Sequence, residues 1–235
     1  MYRPATPLIL LALAACGGAA DRSPAPRETS APTAAAAPEQ PTTRQPATEP
    51  PLILSVVDSA SAVTAHTSAA DLVRRFGATH VRAGDVDLGE GETAPGTILF
   101  PDDSLRRVEI VWTDSTRSAP ARVEIRGSAS RWTVPPGISL GVSLDSLERL
   151  NGRAFHLYGF GWDYEGTVSS WDGGKLAGLN ADSARVLVRV GPSDDDSVPD
   201  AAARSVSGER TFPSDNPTIR RMRPTVYDIL LQFGR

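Results

Sequence analysis

The chain carries one cysteine, Cys16, among 235 residues, so no disulfide can form within it. Apolar runs are scarce as well. The longest, Leu8 to Ala15 in "MYRPATPLILLALAACGG", is far shorter than the roughly 20 residues a membrane-spanning helix needs, and no second span follows it. Strings that mark common chemistries are missing. There is no Walker A sequence and no dinucleotide fingerprint, since the glycines of "GFG" at 159–161 lie inside a strand pattern rather than at a strand-to-helix turn. The nearest approach to G-x-S-x-G is "GVSLD" at 141–145, which lacks the closing glycine, and Ser143 reads instead as a helix cap. His66, His80 and His156 are too scattered for a local motif such as H-E-x-x-H, so no metal and no cofactor are expected. A basic stripe is absent and the formal net charge is −4, which speaks against a nucleic-acid partner. Between Gly17 and Pro51 there is no Val, Ile, Leu, Met, Phe, Trp or Tyr.

What is present begins with targeting. Arg3, the apolar run and the small residues that close it form a secretory signal peptide over residues 1–15. Leu13, Ala14 and Ala15 before Cys16 resemble the lipobox of bacterial lipoproteins, which implies cleavage before Cys16 and acylation of its thiol and new amino group. Two or more acyl chains hold a protein stably on a membrane, at about 0.8 kcal/mol per buried CH₂. By resemblance to enteric sorting rules, Gly17 stands where an inner-membrane retention signal would place Asp, which implies the outer membrane. Residues 16–51, rich in Pro, Ala and Thr, cannot bury enough apolar surface to offset their ordering entropy and read as a disordered tether. The rest, 52–235, is the size of one domain.

That domain has an internal rhythm. "TSAADLVRRFG" at 67–77 places Ser68 as N-cap, Asp71 three residues on, and Gly77 as the stop. "SLDSLERLNG" at 143–152 repeats the punctuation with Ser143, Asp145, Glu148 and Gly152. His80 and His156 follow at similar offsets, where a structural hydrogen-bonding role is expected of each. "TILFPDDSL" at 97–105 and "TVSSWDGGKL" at 167–176 both read as strand, tight turn, strand, and "RRVEIVW" and "ARVLVRV" close the two halves as β-forming runs. "ARVEIRG" at 121–127 and "TVYDILLQF" at 225–233 add strands. The expectation is an α+β fold: a tandem repeat of a short helix and an antiparallel meander, about 67–127 and 137–233, with the helices on one face of the sheet.

With "GISLGVSLDSLERLNG" opening its second unit, the chain resembles the repeats of the β-lactamase-inhibitor protein and of the small outer-membrane lipoproteins of the SmpA/OmlA group. "LNGRAFHLYGFGWDYEGTV" also resembles a bacterial lipoprotein family without a known activity. The first resemblance implies a non-catalytic protein that holds another protein on the exposed side of a curved sheet. The expected function is therefore a membrane-anchored envelope lipoprotein that binds a protein or peptide partner. The rivals are an envelope hydrolase acting on wall or polysaccharide through Asp163 and Glu165, and a purely structural lipoprotein.

Two acidic stretches read as surface loops. "GDVDLGEGE" at 84–92 has Glu90 where a calcium loop needs glycine and lacks the distal bidentate Glu, and "SDDDSVPD" at 193–200 is similar in character. The most informative stretch is "YGFGWDY", where Tyr158, Phe160, Trp162 and Tyr164 recur every second residue, as on one face of a strand running from Phe155 to Glu165. On one reading these aromatics are core. On the other, Gly159 and Gly161 lie under a helix and the aromatics stand outward with Arg189 as a partner-binding surface.

Overall fold

The computed structural model of the chain describes residues 52–57, 60–192 and 199–234. The leader, Cys16 and the tether lie outside them, as do residues 193–198 of the second acidic stretch. Among the described residues no helix is long and apolar enough to cross a membrane.

The fold is α+β, with antiparallel sheets and short helices. Helix α1, Ala69–Phe76, begins at a full capping box between Ser68 and Asp71. A 3-10 turn, Ala78–His80, leads into strands β1 (Val81–Gly89), β2 (Glu92–Leu99), β3 (Val108–Trp112) and β4 (Pro120–Arg126), which pair in succession. Helix α2, Leu144–Asn151, is capped by Ser143 and ends at Gly152, whose φ of 82° and ψ of 2° are left-handed. Gly77 also has positive φ, 88°, but its ψ of 148° lies outside that region. Strands β5 (His156–Tyr158) and β6 (Val168–Ser170) follow, then a 3-10 helix, Lys175–Leu179, and β7 (Ala184–Gly191). Helix α3 (Asp200–Ser205), strand β8 (Thr211–Pro213), helix α4 (Pro217–Arg221) and strand β9 (Thr225–Phe233) complete the chain.

The main sheet has the order β1-β2-β3-β4-β9-β7 and a small one the order β6-β5-β8. The two halves thus diverge after their helices: the first keeps four strands in one meander, whereas the second sends β5 and β6 into the small sheet and returns to the large one with β7 and β9. Asp172 and Gly173, at φ of 51° and 70°, make the expected two-residue turn after β6, but a 3-10 helix rather than a strand follows it. The stretch 84–92, read as a loop, is mostly strand. Val86 is buried between the outward Asp85 and Asp87, and Glu90 and Gly91, both with positive φ, turn the β1–β2 hairpin. Asp200, assigned to the second acidic loop, opens α3.

Alternation along the strands divides the large sheet into two faces. Register places Ile110 opposite Val123, Val123 opposite Leu231, and Ile125 and Val188 opposite Ile229. These belong to one buried cluster that also holds Leu72 and Phe76 of α1 and Leu144 and Leu147 of α2. Phe76, Phe100 and Trp132 meet there at tilted and edge-to-face angles, 5.4 to 6.5 Å apart, and the Trp132 indole donates to the Arg106 carbonyl at 2.7 Å. The other face is charged, carrying Glu109, Arg122, Glu124, Arg126, Arg189 and Asp228.

Candidate functional site

Residues 158–166 do not form one strand, which corrects the period-two reading. Strand β5 stops at Tyr158 because another stretch of backbone lies against Gly159: a Cβ there would stand 2.6 Å from the Gly208 carbonyl oxygen and 2.7 Å from that of Val206. The close approach inferred for this glycine is real, but the neighbour is the segment 206–208 just past α3. Phe160 pairs with that segment, donating to the Val206 carbonyl and accepting from Gly208, both at 3.0 Å. Its ring is buried in the main cluster, so Phe160 leaves the proposed binding row. Gly161, at φ 80° with open space around it, turns the chain.

From Gly161 to Gly166 the backbone closes into a loop. The Gly161 amide donates to Glu165 Oε2 at 2.7 Å, and the Glu165 amide donates to the Trp162 carbonyl at 2.9 Å. Gly166 is wedged against β7, where a Cβ would stand 1.8 Å from the Val190 carbonyl oxygen. The remaining aromatics stay together. Trp162 stands edge-to-face with Tyr158 at 5.6 Å and with Tyr164 at 5.2 Å, and its indole donates to the Gly159 carbonyl at 2.9 Å. Tyr158 and Trp162 are half-buried; Tyr164 is 55% exposed. Asp163 is exposed on the loop, whereas the Glu165 carboxylate is engaged by the Gly161 amide, so the two do not share a strand face.

Arg189 lies on β7 where Thr167, at the end of this loop, bridges to it. A bulge between Arg189 and Val190 leaves Tyr227 unpaired in the ladder and sets its ring against Gly191. Burial pushes the Tyr227 phenol above its usual value; the Arg189 cation pulls it down and the Glu165 and Asp228 carboxylates push it up again. The aromatic loop and the charged face therefore adjoin at the β7 edge.

On the charged face, Glu124 is 2% exposed and held by Arg122 and Arg126 on its own strand, with Arg122 Nε at 2.7 Å. Asp228 is equally buried, and its carboxyl is pushed up to about 7, first by burial and then by Glu124, against the pull of Arg189 and Arg126. Sequence reasoning missed this residue. The available signal was an aspartate inside the otherwise apolar run "VYDILL", a position that calls for an explanation in a central strand.

The histidines divide. His80 lays its ring 5.0 Å from that of Phe100, and His66 is exposed. His156 Nδ1 is 2.6 Å from Asp172 Oδ2, while Asp172 Oδ1 accepts from the Ser170 hydroxyl at 2.6 Å. The Ser170 bond, helped by His156, holds the Asp172 carboxyl below its ordinary value. Because Ser170 bonds the aspartate and not the imidazole, these three residues do not make a nucleophile–base pair. Among the described residues no three His, Cys, Asp or Glu side chains come together to hold a metal ion.

Comparison with protein-family models, with curated proteins and with solved structures found no match.

Proposed function

We propose that the chain is a lipid-anchored lipoprotein of the bacterial cell envelope, held at the outer membrane through Cys16 and the tether, which binds a protein or peptide partner without catalysis. The observation that carries the binding reading is the edge-to-face stack of half-buried Tyr158 and Trp162 with exposed Tyr164, on a loop whose end at Thr167 bridges to Arg189. Tyr, Trp and Arg are the residue types that dominate protein-binding hot spots, and a loop closed on itself by Glu165 presents them already ordered. The tandem-repeat origin belongs to the same proposal. In its favour are the two eight-residue helices with Ser caps and Gly stops, and their shared core with the apolar face of the sheet, which also favours helices covering one face.

Two experiments test the parts separately. Cys16→Ser is expected to move the protein from the membrane fraction to the aqueous one, and continued detergent-dependent partitioning would overturn the anchor. Tyr164→Ala, made in the lipidated protein, is expected to reduce stoichiometric capture of an envelope protein from solubilised membranes at least tenfold; undiminished capture places the binding surface elsewhere.

A further inference from the structure

Three buried polar atoms among the described residues have no hydrogen-bond partner: Thr167 Oγ1, Arg189 Nε and Asp228 Oδ1. They form one row. Thr167 bridges Arg189 where the small sheet meets β7, and Arg189 is the register partner of Asp228 across β7 and β9. On its other side Asp228 is the register partner of Arg126, and Glu124 projects from the same face of β4 two residues away. Arg189 Nε is 3.6 Å from Asp228 Oδ2, beyond hydrogen-bond reach.

Arg126 also reaches the β1–β2 hairpin. Its guanidinium bonds Glu124, donates to the Asp87 carbonyl at 3.3 Å and lies 3.6 Å from the Asp87 carboxylate. Since β2 and β3 separate β1 from β4 in the sheet, this contact requires the hairpin to curl over the charged face. Val86, Ile98 and Leu230 are buried on that side, outside the main cluster. A cavity of about 130 Å³ lined by Asp87, Arg107, Glu109, Glu124 and Arg126 lies beneath the curl.

The groups facing Asp228 are Glu124 and Arg126 from β4, Arg189 from β7 and Tyr227 from its own strand, with Arg122 behind Glu124, Asp87 of β1 behind Arg126 and Glu165 of the aromatic loop behind Tyr227. Glu124 already engages two of the three guanidinium groups, and its carboxylate opposes a negative charge on the buried Asp228 beside it. We propose that Asp228, set beside the Glu124 carboxylate, is a buried proton-binding site that latches the β1–β2 hairpin to the charged face. With the proton bound, Asp228 is neutral and Arg126 is free to bridge Glu124 and Asp87. When the proton passes to solvent water, the new negative charge on Asp228 draws Arg126 and Arg189 inward. Asp87 then loses its hold, and the hairpin loosens. The elevated affinity of Asp228 for its proton, caused first by burial, agrees with this order.

The test uses the full chain. Carboxyl carbon resonances, followed by NMR, are expected to place the Asp228 midpoint at least two pH units above the ordinary 3.8. Amide hydrogen exchange in the hairpin, corrected for the intrinsic effect of pH, is expected to be about tenfold slower at pH 5 than at pH 8. Asp228→Asn, which keeps the shape of the protonated acid, is expected to stay protected at both pH values, and Arg126→Gln to exchange quickly at both. An Asp228 midpoint less than two pH units above 3.8, a wild-type hairpin indifferent to pH, or a pH effect that persists in Asp228→Asn would each overturn the latch. The wild-type titration decides the question even if a variant fails to fold.

Discussion

Truncating the four aromatics of "YGFGWDY" one at a time is expected to give unequal losses of stability, because strand β5 ends at the first and the chain turns at Gly161 between the second and the third. Phe160 is 5% exposed, lies in the main cluster and packs over Gly166, so Phe160→Ala removes a core ring and leaves a cavity, at a cost of about 3 to 5 kcal/mol. Trp162 is half-buried and makes two edge-to-face pairs and one indole hydrogen bond. At about 0.5 to 1.5 kcal/mol for each pair and about 1 for the bond, Trp162→Ala costs about 2 to 4 kcal/mol. Tyr164 keeps one such pair and is mostly exposed, which sets its cost at about 1 kcal/mol. Urea unfolding followed by far-UV circular dichroism, with equal slopes across the series, measures these differences directly. A single strand face would instead make all four losses similar. If Phe160→Ala and Tyr164→Ala agree within about 0.5 kcal/mol, the split of the row into one core ring and three surface rings is wrong.

Stability should also depend on pH through Asp228. The folded state keeps this proton up to about 7 while the unfolded chain releases it near 3.8, so the contribution is full below pH 3.8, declines across that window and is gone above it. The full span is at most about 4 kcal/mol, and Asp228→Asn should flatten it in thermal melts from pH 4 to pH 8. Gly166→Ala is expected to cost more than 2 kcal/mol, since φ is 61° and the new methyl would overlap the Val190 carbonyl, whereas Gly161→Ala, with positive φ but open space, should cost about 1 kcal/mol in the same unfolding assay. Asn151→Ala should cost about 2 to 4 kcal/mol: this buried amide donates to the Arg153 and Trp171 carbonyls and accepts from the Leu176 amide, and all three backbone groups would be left without it.

The elements legible in the sequence were those whose signals are local. Ser68 with Asp71, and Ser143 with Gly152, marked two helices within a residue because a cap is a bond between near neighbours. Alternation in "RRVEIVW", "ARVEIRG", "ARVLVRV" and "TVYDILLQF" likewise identified β3, β4, β7 and β9, and with them the separation of an apolar from a charged face. Strand β1 escaped notice because its single buried side chain, Val86, sits among exposed carboxylates, and only the curl of the hairpin gives that valine a place to go.

The aromatic row failed as a strand for a related reason. Period two describes where side chains would point if the backbone stayed extended, and nothing in "YGFGWDY" states that residues 206–208 will lie across Gly159 and pair with Phe160. Glycine in a strand pattern signals close approach or a turn, and here the two glycines divide those roles: Gly159 has no room for a side chain, Gly161 has room but the wrong φ for one. The same non-local pairing hid the buried carboxyls. Glu124 and Asp228 are 104 residues apart in the chain, and only the antiparallel register of β4 with β9 makes them neighbours. A charge in the middle of an apolar strand is the one trace such a site leaves in sequence. Asp228, buried beside Glu124, Arg126 and Arg189, leaves that trace here.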